Sequence, residues 1–125
     1  MLNRLEFTAV LPAKDLQRAR GYYSDTLGLE PVEERSSGLI YQSPSGARIL
    51  IYETDNAGTA QNTALAWTTD DIDTEVAELR GRGVVFEEYD FPGLKTENGI
   101  ATNDEFRAAW FKDSEGNIIA VSQEL

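Results

Sequence analysis

Carboxylates, tyrosines, lysines and hydroxyls are the side chains with which this chain can do chemistry, because it contains no histidine and no cysteine. The usual acid/base residue of neutral pH and the commonest imidazole metal ligand are therefore missing. A histidine triad and a thiol nucleophile are excluded with them. Adjacent carboxylates occur at Glu33-Glu34, Asp70-Asp71 and Glu87-Glu88. Neighbouring residues on a strand point to opposite faces, so the first and last of these pairs cannot form an acid/base dyad. Asp70-Asp71 reads instead as the cap of a helix. Gly81-Arg82-Gly83-Val84-Val85 ends a helical pattern rather than starting one, so it is no phosphate-cradling loop.

The elements that must position these groups follow from periodicity. Glu6 to Leu11 reads as a strand closed by Pro12. Asp15 can cap a helix starting near Leu16, with Leu16, Ala19, Tyr23 and Leu27 on one face and Gly28 after its end. Leu29–Arg35, Leu39–Gln42 and Arg48–Glu53 are strand candidates, separated by turns at Ser36-Ser37-Gly38 and Ser43-Pro44-Ser45-Gly46. A polar connector from Asp55 to Asn62 follows, and then the order repeats. Thr63–Thr68 is a strand. Asp70 or Asp71 caps a helix carrying Ile72, Val76 and Leu79, which ends at Gly81 and Gly83. Val84–Tyr89, Glu105–Lys112 and Asn117–Gln123 are strands, and Asp90 to Asp104 is a long loop. A loop of that length is either a functional lid or an ordered surface loop. Phe91, Leu94 and Ile100 are its apolar contacts, and Lys95 and Asn98 its polar ones.

Length and charge set the class. At 125 residues with 41% apolar side chains, one domain with a real core is expected over 1–125. Its two modules are expected at 1–55 and 62–125. The net charge of −11 disfavours nucleic acid and anionic membranes as partners. No run of about 20 apolar residues exists to span a membrane. The absence of cysteine and of an apolar leader at Met1–Glu6 fits a cytoplasmic protein.

The two halves correspond residue by residue. "KDLQRARGYYSDTLGLEPVEE" answers "DDIDTEVAELRGRGVVFEE", and "SPSGARILIYE" answers "DSEGNIIAVSQ". Asp15 maps to Asp71 and Gly46 to Gly116, offsets of 56 and 70. The extra 14 residues lie in the loop from Asp90 to Asp104. These segments resemble the glyoxalase/bleomycin-resistance/extradiol-dioxygenase superfamily, the vicinal oxygen chelate proteins. The carrying stretches are "AKDLQRARGYYSDTLGLEPV", "LAWTTDDIDTEVAELRGRGVVF" and "AAWFKDSEGNIIAVSQ", in order over nearly the whole chain. The resemblance implies an α+β fold of two βαβββ modules. It further implies a curved mixed sheet with a concave ligand cleft, and a homodimer.

Metal-binding members of that superfamily place ligands at fixed strand positions on the concave face. By the resemblance these fall here at Thr8, Leu50, Ala64 and Ala120. One hydroxyl and three hydrocarbon side chains are no donor set for a divalent ion, so no metal and no other cofactor is expected. Strand alternation from these positions then assigns the cleft wall. Arg48, Leu50 and Tyr52 share one face with Thr8, Glu6 and Val10. Ala64 shares one with Ala66 and Thr68, and Ala120 with Ile118 and Ser122. Trp110 and Ala108 are expected inward, Phe111 and Trp67 toward the helices. Trp110 is the expected apolar anchor of a small-molecule ligand, or a core residue. Tyr52 is a hydrogen-bonding or stacking group, or a half-exposed strand residue. Arg48 pairs with a ligand anion, or lies at a surface or dimer contact. The expected ligand-binding set is Thr8, Arg48, Leu50, Tyr52, Ala64, Trp110, Ala120 and Ser122, with no catalytic residue assigned.

The expected function is metal-independent small-molecule binding, of the kind that sequesters an antibiotic or metabolite. Two alternatives stand beside it. One is a metal-free lyase or isomerase using a carboxylate or tyrosine. The other is an association domain with a collapsed pocket.

Overall fold

The computed structural model describes residues 1–125. The chain builds two mixed sheets, each backed by one helix. The first sheet has the order β1-β4-β3-β2, from β1 (Ala9–Ala13), β2 (Glu33–Arg35), β3 (Gly38–Gln42) and β4 (Arg48–Glu53). Its helix α1 spans Leu16–Asp25. The second sheet has the order β5-β10-β9-β8-β7-β6. Its strands are β5 (Thr63–Thr68), β6 (Asp90–Phe91), β7 (Leu94–Glu97), β8 (Ile100–Thr102), β9 (Phe106–Lys112) and β10 (Ile118–Glu124), with helix α2 over Ile72–Gly81. β1–β4 and β5–β10 are the parallel pairs, and the other pairs are antiparallel. The first four strands of the second sheet thus repeat the order of the first. No helix is long and apolar enough to cross a membrane.

The mixed sheet of the two modules is built as two ladders, one per half, and none joins β1 to β5. Four expected segments change. The first strand is shifted onto Ala9–Ala13 and contains Pro12. Its carbonyl accepts from Asn117 Nδ2 at 2.9 Å, on the edge away from β4. The missing proline N–H therefore costs no ladder bond. Leu29–Arg35 shortens to Glu33–Arg35, and Val84–Tyr89 is no strand. It touches the sheet through a Phe86–Phe111 bridge, the Glu87 N–H to Trp110 carbonyl bond at 2.8 Å and the Thr96 N–H to Tyr89 carbonyl bond at 2.9 Å.

The expected loop from Asp90 to Asp104 is a meander. β8 is the true counterpart of β2, and β7 and β6 widen the sheet beyond it. The turn at Asn98-Gly99 joins Glu97 to Ile100, with φ of 53° and 81°. Positive φ at both residues is the type I′ signature of a tight hairpin. A Cβ on Gly99 would lie 2.9 Å from Phe86 Cβ and 2.8 Å from Arg80 Nη2. The Arg80 guanidinium lies over the Phe86 ring, 5.5 Å from its centroid. Gly99→Ala is therefore expected to cost about 2 kcal/mol, from clash and backbone strain together. Urea unfolding checks it, and an unchanged midpoint would refute the tight packing of this turn.

The helices repeat down to their caps. The Asp15 and Asp71 carboxylates accept the N–H of Arg18 and Thr74, three residues on. The next amides, of Leu16 and Ile72, donate to Glu53 and Gln123, each on the last strand of its own half. Leu16 and Ile72 are 56 apart, and Glu53 and Gln123 are 70 apart, the same offsets that relate the halves in sequence. Side chains outside the helix thus satisfy amides that a helix start leaves without partners.

Two apolar clusters lie beneath the helices. One holds Leu11, Ala13, Ala19, Tyr23, Leu39, Tyr41 and Ile51, and the other gathers Ile72, Val76, Phe86, Phe111, Ile119 and Val121 around α2. Leu27, Leu65 and Trp67 pack against both. Trp67 therefore serves helix packing, on the side alternation assigned to it.

A polar clasp also joins the halves. Asp113 accepts the Tyr23 hydroxyl at 2.7 Å and the N–H groups of Glu115 and Asn117 at 2.9 Å. Glu115, its side chain 1% exposed, reaches from the β9–β10 turn to the start of α1. It accepts the Lys14 and Asp15 N–H groups at 2.9 Å and both Arg18 guanidinium arms at 2.9 and 3.0 Å. Burial alone would raise its pKa. The hydrogen bonds from Arg18, the Asp15 amide and Ser114 outweigh burial and hold it at about 2. Burial likewise pushes the Tyr22 hydroxyl up to about 12, with the Asp113 charge adding to it, and raises buried Tyr23 in the same way. Neither tyrosine is a neutral-pH base.

Candidate functional site

The face of each sheet away from its helix is where the expected site residues fall. On β4, Ile51 is in the core while Arg48, Leu50 and Tyr52 alternate to the other side. On β1, Leu11 and Ala13 are core, which leaves Val10 on the helix-free side next to Leu50. Thr8 and Glu6 lie before β1 and are exposed. Arg48 donates from Nε to Gln42 Oε1 at 2.9 Å, a partner on its own sheet. Val10 is 55% and Tyr52 38% exposed, so this face is open in the single chain.

On the second sheet, Ala109, Phe111, Ile119 and Val121 are in the core. Ala108, Trp110, Ala120 and Ser122 therefore face away from α2. Trp110 pairs directly with Ala120, and Ser122 with Ala108. Ala120 and Ser122 pair in turn with Ala66 and Thr68 of β5, while Ala64 lies at the start of that strand. Ala101 of β8 adjoins Ala108. The result is a floor of small residues beside one large ring.

Two further rings join it. Tyr89 meets Trp110 edge to face at 5.6 Å, and Phe91 stacks on Tyr89 at 5.8 Å with an interplanar angle of 27°. Phe91 is 59% exposed. The segment is held by Thr96, whose buried hydroxyl accepts the Tyr89 N–H at 2.8 Å and donates to Glu88 at 2.6 Å. Tyr89 escaped the sequence reading. The signal was there: aromatic residues at 89 and 91 are two apart and share a face on extended chain. The other residues of that stretch do not form a lid. Ile100 packs against the α2 core, and Lys95 and Asn98 are exposed in the hairpin.

The eight expected residues thus fall into two groups of four. Thr8, Arg48, Leu50 and Tyr52 belong to the first half, and Ala64, Trp110, Ala120 and Ser122 to the second sheet. No ladder brings the groups together within the chain. At the four positions that the resemblance assigns to metal ligands stand an exposed threonine, a leucine and two alanines, side chains whose chemistry does not fit a divalent ion. No group of three or more acidic side chains is placed to hold a metal elsewhere.

Among solved structures, the chain is similar to TnmS3, an antibiotic binding protein from Streptomyces sp. CB03234. The identity is 21%, with 97% of this chain and 98% of that one covered and a TM-score of 0.71. It is similar to a glyoxalase/bleomycin resistance protein from Catenulispora acidiphila DSM 44928, at 24% identity, 95% and 97% coverage and a TM-score of 0.65. A genomically encoded fosfomycin resistance protein, FosX, from Listeria monocytogenes matches at 17% identity, 95% and 92% coverage and a TM-score of 0.69. At these identities the likeness establishes the fold alone. No curated protein sequence matches the chain. The sequence pattern of one family covers residues 4–121, nearly the whole length, and the chain belongs to it: the Glyoxalase/Bleomycin resistance protein/Dioxygenase superfamily.

Proposed function

We propose that this protein binds a planar aromatic small molecule, an antibiotic or a metabolite, without a metal, and as a homodimer. The observation that carries the reading is the Trp110–Tyr89–Phe91 aromatic run beside the alanine floor of Ala101, Ala108 and Ala120. Apolar walls with rings that can stack on a ligand are the usual makings of a small-molecule site. Thr8, Leu50, Ala64 and Ala120 stand where chelating side chains would be needed, so affinity comes from burial and stacking. The similarity to an antibiotic binding protein agrees with this reading. The open faces around Val10, Tyr52 and Phe91 supply apolar surface for a second copy to cover.

The test is thermal-shift screening of planar aromatic antibiotics and metabolites, with and without chelator. The expected result is saturable stabilisation that chelator leaves unchanged, from a protein that light scattering shows to be a dimer. Turnover of a bound compound, or stabilisation by a divalent ion alone, would overturn the reading.

A further inference from the structure

We propose that a second site lies on the opposite side of the molecule, in the cleft between the halves, and that it takes a small apolar amine. The cleft has a volume of about 230 Å³. Leu27 and Leu29 wall it from the segment after α1, Trp67 from β5, and Leu79 from α2, with Phe111 and Val121 as its base. It opens where the two apolar clusters meet without filling the space. Leu27 and Trp67 contact both clusters and are still only half-buried.

Three features choose the ligand. The volume is below that of a typical drug-sized pocket, so it suits a compact molecule of about ten non-hydrogen atoms. The walls are hydrocarbon and aromatic. Glu75 stands among the lining residues and takes part in none of the chain's ion pairs. An unpaired carboxylate beside a half-exposed indole attracts a cation by charge and by the ring's negative face. The net charge of −11 favours the same sign of ligand. Of the residues lining the cleft only Thr68 also belongs to the helix-free face, so the two sites share no ring and no carboxylate.

The experiment is titration with phenethylamine, and with uncharged 2-phenylethanol as its control. It is followed by amide chemical shifts and by Trp67 fluorescence in a Trp110→Phe background. The expected result is saturable perturbation of Trp67, Thr69 and Leu79 by the amine. Glu75→Gln, an exposed change that leaves the core alone, is expected to weaken amine binding by about twofold to fivefold, the worth of one exposed ion pair. The same change should leave the alcohol unaffected. Leu79→Trp, which fills the cleft, should abolish binding of both. Absence of saturation at millimolar amine, or equal affinity for amine and alcohol, would overturn the proposal. So would binding lost through Trp110→Ala rather than Glu75→Gln, because that result places the amine on the helix-free face.

Discussion

Replacing Glu115 with alanine is expected to destabilise the fold by about 3–4 kcal/mol, lowering the melting temperature by roughly 10–15 °C. The Lys14 and Asp15 amides and the Arg18 guanidinium all point at this one carboxylate. Alanine removes the one acceptor that these donors share, and a donor left without its partner costs more than the bond itself is worth. Glu115→Gln keeps an acceptor for the amides but turns an NH₂ toward the guanidinium, so about half the loss is expected. The carboxyl also gives an acid signature. Its folded pKa of about 2 lies below its ordinary 4.5, so its stabilisation is complete above pH 4.5. It is lost as the pH falls from there towards 2. The difference corresponds to about 2 kcal/mol once the screening of Arg18, 52% exposed, is allowed for. Urea unfolding between pH 7 and 3 reads both effects. An alanine variant with wild-type stability, or one that keeps the wild-type acid slope, would show that the clasp does not hold the halves.

Trp110→Ala is expected to weaken binding of the tightest planar aromatic compound by at least about tenfold. A stacked ring contributes roughly 1–3 kcal/mol, and Trp110 also supports Tyr89 edge-on. Trp110→Phe keeps a ring of smaller area, so an intermediate affinity is expected. Calorimetric titration measures both, and circular dichroism confirms that the sheet survives. An unchanged dissociation constant in Trp110→Ala would refute the role assigned to the ring.

Much of the framework was legible along the chain because its causes are local. Asp15 and Asp71 announce the helices, since an N-cap acts on amides three residues away. Gly28, with φ of 73°, announces the end of the first helix, where few other residues adopt that backbone. Alternation placed Phe111 in the core and Trp110 opposite it. The Asn98-Gly99 hairpin was also written in the sequence, as Asn-Gly between extended residues, but the length of the stretch argued for a loop and hid it.

Other features were not legible, because they join residues far apart. Glu115 reads as a polar turn residue, yet its partners lie about a hundred positions earlier in the chain. Tyr89 becomes part of an aromatic run only because Thr96 folds it back toward Trp110. The cleft beneath Trp67 arises from two cores that meet imperfectly, and nothing in the residue pattern measures that gap. The sequence by itself determined the two repeated halves, their caps, their strand faces and the absence of any imidazole or thiol. Those follow from periodicity and from side-chain chemistry. Only the tertiary structure decided how the halves are clasped, which rings meet, and that the two groups of expected site residues lie on separate sheets. Those depend on packing between segments that have no neighbours in common along the chain.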